Sequence, residues 1–311
     1  MPVISVRRHD GRRATPIELK LSELHGQCQK RIAVAGVCSC PQRRGVRTMS
    51  ACVYGPVPAC LGSEMGTETD ARAGPLSGDA RYVPLPVKQS WADVVFLHWR
   101  IPVAAAHPYM PPGVEPDLYA DTTWVGLIGF RVTCTCLGPH LRLPYAGTFT
   151  EVNVRLYSRD AAGRHGVVFL SLDADRLAFV LAARAAGVPY VWSRCRPTTM
   201  RGTSRGYGYE VERFRGQGAS SFGAYPDMDH PAMDGLSLWL TARFGLHTRV
   251  GRRVFYLPIA HRPWPLYCAA AAAFEDALVR AAGITVHGPP DSVLYSPGVR
   301  TQFGQPRQVL G

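Results

Sequence analysis

A chain of 311 residues that is 46% hydrophobic and 19% charged has material for one large core, which excludes disorder throughout. Its formal charge of +12 is split evenly, +6 over residues 1–88 and +6 over 89–311, with no basic block of the kind that tracks a phosphate backbone; no nucleic-acid partner is expected. No apolar run approaches the roughly 18 residues of a membrane helix, and the charged N-terminus lacks a secretory apolar core, so a cytoplasmic protein without a membrane partner is expected.

Residues 1–88 are rich in Arg, Gly, Ser, Pro and Cys and hold no sustained period of 2 or 3.6, which predicts a disordered arm ahead of a single domain over 89–311. Met49 and Met65 are alternative starts within it. Cys28, Cys38, Cys40, Cys52 and Cys60 are spaced too irregularly to support a metal site or a redox pair.

From Gln89 the pattern changes. Val94 to Trp99 is strand-like, and Pro102 opens a short helix that closes before Pro111-Pro112-Gly113. Thr123 to Thr135 predicts a long strand with Gly126 and Gly129 as bends or bulges. Cys134 and Cys136 share one face of it and are expected to be small, buried, reduced side chains. Further strands are predicted near 149–158, 165–172, 190–196, 206–215, 252–261 and 292–296. Three helices interrupt them. The first is capped by Asp173 and Asp175 and stopped by Gly187, the second is capped by Asp234 and stopped by Gly245, and the third runs from Pro265 through Ala269–Ala273 to Gly283. Mostly antiparallel strands with about three to four peripheral helices imply an α+β barrel or closed sandwich.

The richest pattern is Glu151-Val152-Asn153-Val154-Arg155-Leu156-Tyr157. A strand alternates its faces, so Glu151, Asn153, Arg155 and Tyr157 project together. Such a row either meets water, as strand faces commonly do, or lines a cavity where it binds a polar molecule. His261 ends a strand and precedes the stiff Pro263-Trp264-Pro265, which fixes the direction of an imidazole suited to acid–base work. His98, inside an apolar run, reads as a satisfied core histidine. Tyr207 and Tyr209 alternate against Glu210 and Glu212 and are candidates for an interior wall. Asp227-x-Asp229-His230 has metal-ligand spacing in a turn-forming stretch and is read as a turn; no metal or cofactor is expected, and no phosphate-binding loop or nucleophile elbow occurs.

Several segments carry a resemblance: Phe96-Leu97-His98-Trp99, Met110-Pro111-Pro112-Gly113-Val114-Glu115-Pro116-Asp117, Trp124-Val125-Gly126, Glu151-Val152-Asn153-Val154-Arg155, Val168 to Ala174, Val188-Pro189-Tyr190 and His261-Arg262-Pro263-Trp264-Pro265-Leu266. In this order, from about Trp91 to Arg300, the chain resembles the YqjF-like family, domain-of-unknown-function family 2071, within the acetoacetate decarboxylase-like superfamily. The resemblance implies a β-barrel-like domain with an internal polar cavity, and with it that the Glu151 row looks inward. It also exposes a departure. The decarboxylases form a Schiff base through a lysine of lowered pKa, but no lysine follows Lys88 here; Arg184 and Ala185 stand opposite their lysine pair, and Ala92 opposite a substrate-binding arginine.

Two functions follow as alternatives. One is a module that holds a small anionic metabolite, with Arg155 clamping a carboxylate, Asn153 and Tyr157 orienting it, and His98, Tyr207 and Trp264 completing the wall. The other is a non-covalent lyase, isomerase or hydrolase of a carbonyl compound in which Glu151 or His261 moves a proton. A third reading has Glu151 and Arg155 paired in a buried structural network. A homo-oligomer is compatible with any of these.

Overall fold

β-Branched and aromatic residues set the architecture, because on a pleated surface they pack on both faces while the ladder satisfies the backbone. The computed structural model describes residues 83–309 apart from 139–140, 203, 216–217 and 273. The expected arm, up to residue 82, with its five cysteines and both internal methionines, lies outside the described residues.

The first strand, β1 (Pro84–Ile101), already runs four residues before the expected boundary at 88. A short helix α1 (Val103–Ala106) and a 3₁₀ turn (His107–Tyr109) lead to β2 (Val114–Pro116). Next come β3 (Thr123–Leu137), β4 (Leu141–Arg142), β5 (Phe149–Asp160) and β6 (His165–Ala174). Helix α2 (Leu177–Ala185) is followed by β7 (Tyr190–Arg201), β8 (Arg205–Arg213) and β9 (Ala219–Pro231). Helix α3 (Gly235–Thr241) precedes β10 (Gly245–Val250), β11 (Arg253–His261), β12 (Tyr267–Ala271) and β13 (Glu275–Asp276). Helix α4 (Leu278–Ala281), β14 (Ser292–Gly304) and β15 (Arg307–Gln308) complete the series.

The strands form one 15-stranded sheet. It is mixed: β6 pairs in parallel with β7 and with β10, and the other pairings are antiparallel. Two cross-pairings, β5 with β6 and β11 with β14, join strands that lie apart in the linear order. At its centre β1, β3 and β5 lie side by side with apolar packing on both faces. Val95, Leu97, Val125, Leu127, Val152, Val154 and Leu156 enter one core. Val94, Phe96, Ile128, Phe130 and Phe149 enter another, continued by Trp124 and Tyr157. Among the described residues no helix is long and apolar enough to cross a membrane.

Several local expectations are corrected. Gly126 and Gly129 are places of close approach. The β1–β3 pair carries two bulges elsewhere: Asp93 of β1, at φ 54°, adds a residue opposite Arg131–Gly129, and Thr133 of β3 is the extra residue opposite Ser90–Trp91. The third expected helix is broken up: Tyr267–Ala271 is drawn into the ladder between β9 and β14, where tertiary pairing overrides alanine's helix propensity, and only Leu278–Ala281 is helical. Asp227 to His230 lies at the end of β9, where His230 Nδ1 sits 2.8 Å from an Asp227 carboxylate oxygen. Asp234 does cap α3, accepting from the Ser237 backbone N–H at 3.0 Å. Of the four cysteines beyond residue 88, Cys134, Cys136 and Cys195 are thiols, whereas Cys268 is disulfide-bonded.

Asp173 is not a helix cap. It stays in β6, fully buried, and accepts from Arg213 Nε and Nη2 at 2.7 and 2.8 Å and from the Ser193 hydroxyl at 2.6 Å. Replacing Asp173 by Ala strips a buried guanidinium of both its carboxylate oxygens, and urea unfolding is expected to lose about 3–5 kcal/mol. A loss of only about 1 kcal/mol, the size of a missing helix cap, would contradict this placement.

Candidate functional site

From Phe149 to Ser158 neither face of β5 is open to solvent, Arg159 being the exposed residue of the strand, so its polar row points into protein. Glu151, Asn153 and Tyr157 are at most 4% exposed and Arg155 is half-buried. The solvated-face reading is overturned, because both neighbours of β5 in the ladder carry cores across it.

The register brings a second element to the row. His98 on β1 stands opposite Gly126 on β3, and Gly126 stands opposite Arg155 on β5. A Cβ at position 126 would lie 3.1 Å from His98 Cδ2 and 3.5 Å from Arg155 Cγ, so glycine there lets imidazole and guanidinium share one space. His98 is fully buried, and neither of its ring nitrogens has a partner, against the expectation of a satisfied core histidine. Burial drives its pKa well below the usual imidazole range, with Arg155 and Arg243 adding to the effect. The ring is neutral at physiological pH.

Arg155 is weakly engaged. Its Nη2 reaches the Tyr157 hydroxyl and the Leu240 carbonyl at 3.4 Å each, its Nε has no partner, and among the described residues no carboxylate pairs with it. The guanidinium instead lies 5.8 and 5.6 Å from the ring centres of Phe96 and Tyr157.

Glu151 is engaged elsewhere. Its two oxygens accept from the Tyr190 hydroxyl at 2.7 Å and from Asn153 Nδ2 at 3.2 Å. Burial raises its pKa to about 7, although both hydrogen bonds oppose the shift. The Asn153 carbonyl oxygen is left without a partner. Tyr190 is fixed in turn by Arg184, whose Nε donates to the Tyr190 carbonyl at 2.6 Å. Arg184 thus holds the chain end that carries the Glu151 partner.

His261 and Trp264 join the same wall. The His261 ring centre lies 5.1 Å from that of Trp264 and 4.8 Å from that of Phe244, and its Nδ1 is 2.7 Å from the Arg262 carbonyl. Burial lowers the His261 pKa, the backbone hydrogen bonds to Arg262 and Arg243 oppose this, and Arg155 lowers it further. Trp264 packs edge-on to Phe96 with centres 5.4 Å apart. Tyr207 is not part of this group; it stacks on Tyr295 in the core behind β5, at 4.6 Å.

Three members lie outside the expected set: Arg243, Asp117 and Tyr190. Arg243 is buried over the Tyr157 and Trp239 rings, paired with Asp117, and one of its terminal nitrogens has no partner. Burial alone would raise the Asp117 carboxyl, but Arg243 and His165 outweigh it and hold its pKa below the ordinary value. The signal for Asp117 lay in the Met110–Asp117 segment. Arg243 follows a helix end and has no local pattern. Tyr190 was quoted for its family likeness without a role.

Another constellation has the order of a hydrolase triad: Ser158 Oγ is 2.9 Å from His247 Nδ1, and His247 Nε2 is 3.2 Å from Asp160 Oδ2. Ser158 and His247 have at most 1% exposure, and Asp160 holds the β5–β6 turn through the Ala162 and Arg164 backbone N–H groups, at 3.0 Å each. It is a satisfied structural network. Two clefts, of about 620 and 240 Å³, follow Met110–Glu115 with the Arg159–Ala161 turn and Arg131–Thr133 with Thr148–Thr150; neither is lined by the Glu151 row. Among the described residues no group of three metal-ligating side chains converges.

A Glu151 pKa of about 7 in the folded protein, above its ordinary 4.5, means that the unfolded chain releases this proton first. Stability therefore falls as pH rises from 4.5 to 7 and is level beyond, by on the order of 3 kcal/mol. Glu151→Gln removes that dependence, so its stability relative to the wild type should grow between pH 5 and pH 8 in urea melts. A constant difference would show that Glu151 is ionised throughout.

Comparison with known proteins fits this geometry to a family. Residues 88–300 match the model of DUF2071, described as an uncharacterized conserved protein. The uncharacterized protein YqjF of Bacillus subtilis (strain 168) is 31% identical over 206 residues, covering 64% of this chain and 83% of YqjF. Solved structures are similar in fold at low identity. An acetoacetate decarboxylase-like enzyme from Sphingomonas wittichii RW1 has a TM-score of 0.54 at 10% identity, covering 73% of this chain and 95% of its own. Acetoacetate decarboxylase from Legionella pneumophila has a TM-score of 0.52 at 12% identity, covering 77% and 93%. The enduracididine biosynthesis enzyme MppR complexed with pyruvate has a TM-score of 0.50 at 17% identity, covering 76% and 95%. The chain therefore belongs to the DUF2071, YqjF-like family and carries an acetoacetate decarboxylase-like fold.

Proposed function

We propose that the chain binds a small carboxylate in the interior space between His98 and Arg155, without Schiff-base chemistry. The observation that carries this is the Arg155 guanidinium: it faces an unpartnered His98 across Gly126, has no carboxylate of its own, and keeps Nε unpaired. Buried polar atoms without partners cost about 1–3 kcal/mol each, which a ligand carboxylate would recover through charge-assisted bonds. The Asn153 oxygen and the free Arg243 nitrogen add an acceptor and a donor for other ligand groups. Cross-pairing of β5 with β6 and of β11 with β14 supports reading the space as the inside of a closed barrel. A fold neighbour holding pyruvate is consistent with a ligand of this size and charge. No lysine follows Lys88, and Lys88 itself is exposed at the start of β1, which argues against an interior amine nucleophile. Because His98 and Tyr157 have no exposed surface, entry requires the surrounding side chains to part.

Turnover is a second reading, favoured by one observation: a buried Glu151 with a pKa of about 7 is poised to exchange a proton at physiological pH. Asn153 separates Glu151 from Arg155 along the strand, so proton transfer and anion clamping would act on different atoms of one ligand.

A thermal-shift series of the full chain with acetate, pyruvate and other small keto and hydroxy acids tests the binding reading. A ligand at a hundred times its Kd should stabilise the protein by about 2.7 kcal/mol, and Arg155→Ala should abolish that stabilisation while remaining folded. Absence of any shift with every carboxylate, or an equal shift in Arg155→Ala, overturns it. For a ligand found this way, Glu151→Gln should keep binding and lose any measured turnover; an unchanged rate would remove Glu151 as acid or base.

A further inference from the structure

At the far end of β3 from Gly126 lies a feature with no part in the interior site. Cys134 and Cys136 project from the same face, both half-buried, with their sulfurs 2.9 Å apart. The intervening Thr135 points the other way, into protein, where its hydroxyl accepts from Gln89 Nε2 at 3.2 Å. The pair therefore sits toward the outside of the sheet, contrary to the expectation of buried, inert thiols. Cys136 stands opposite Lys88 on β1 and opposite Arg142 on β4, so two exposed cations flank it on the same face.

We propose that Cys134 and Cys136 are a redox-active dithiol that closes reversibly to a disulfide by exchange with a low-molecular-weight disulfide. The first thiolate attacks one sulfur of oxidised glutathione, expels a glutathione thiolate and leaves a mixed disulfide. The neighbouring thiol loses its proton to solvent, attacks the protein-bound sulfur and expels the second glutathione thiolate. Two protein thiols are oxidised, one glutathione disulfide is reduced to two thiols, and no other reactant is needed. The flanking cations favour approach of an anionic reagent. Alternate residues of a strand have Cα atoms about 6.6–6.8 Å apart, the upper edge of the range a disulfide spans, so the closed form is strained and easily reduced. Strained, accessible bonds of this kind are the labile ones rather than the structural ones. Cys195 provides an internal contrast: burial pushes its thiol pKa far up and withholds it from exchange.

Trypsin isolates the pair, because cleavage after Arg131 and Arg142 releases residues 132–142 with both cysteines and no other. The full chain is equilibrated in glutathione buffers from fully reduced to fully oxidised, quenched with iodoacetamide, digested and measured by mass spectrometry. In oxidised buffer, peptide 132–142 should be unalkylated and two hydrogen atoms lighter than the dithiol, and reduced glutathione should return it to the doubly alkylated form. Cys195 should stay alkylatable after unfolding throughout. In Cys134→Ser, Cys136 should instead accumulate as its glutathione mixed disulfide, because the resolving thiol is gone. A peptide that remains a dithiol in fully oxidised buffer, or one that carries glutathione on both cysteines without ring closure, overturns the proposal.

Discussion

β5 is buried on both faces, and everything about the candidate site descends from that constraint. A strand covered by protein on each side offers no water to its side chains, so Glu151, Asn153, Arg155 and Tyr157 must find partners inside. Glu151 succeeds through Tyr190 and Asn153. Arg155 succeeds only in part, with two long contacts and a pair of aromatic faces. The neighbouring Arg243 is compensated further, by Asp117, although one of its terminal nitrogens stays without a partner. The two arginines thus differ in their partners: Arg243 has a carboxylate and Arg155 has none among the described residues.

The strands of the domain were legible because period-2 apolar alternation survives on β5 and β8 and continuous apolar runs mark β1 and β3. Strand β9 was not, since its Ser, Gly, Pro and Asp content reads as connection and only pairing with β8 and β12 makes it a strand. The alanine block at 269–273 failed the other way, offering local helix propensity to a place where the sheet had an edge to fill. Asp173 failed for a related reason. A carboxylate just ahead of a helix pattern has the spacing of a cap, and only the fold reveals that Arg213, forty residues on, is its partner. The site divides in the same manner. The Glu151 row could be read from one strand, but the meeting of His98 with Arg155 depends on register across three strands and on the missing Cβ of Gly126. Tyr207 is half-buried against the core behind β5 and not beside Arg155, because alternation tells which residues share a face and not which core that face meets.

The electrostatics of the space explain why a histidine without partners is tolerable there. A charged imidazole beside Arg155 and Arg243 would add a third positive charge to a buried region whose one nearby ionised carboxylate, Asp117, is already paired with Arg243. His98 therefore remains neutral, with one nitrogen a donor and the other an acceptor, neither of them partnered. Glu151, four residues from Arg155 on the far side of Asn153, takes no share of the guanidinium. Its burial keeps it protonated up to about pH 7, when it adds no negative charge to compete with an incoming anion. Asp117 is held by Arg243 and Glu151 by Tyr190, and neither carboxylate pairs with Arg155. Arg155 and Glu151 therefore stand in separate hydrogen-bond surroundings along one strand, the guanidinium against aromatic faces and the carboxyl against Tyr190 and Asn153.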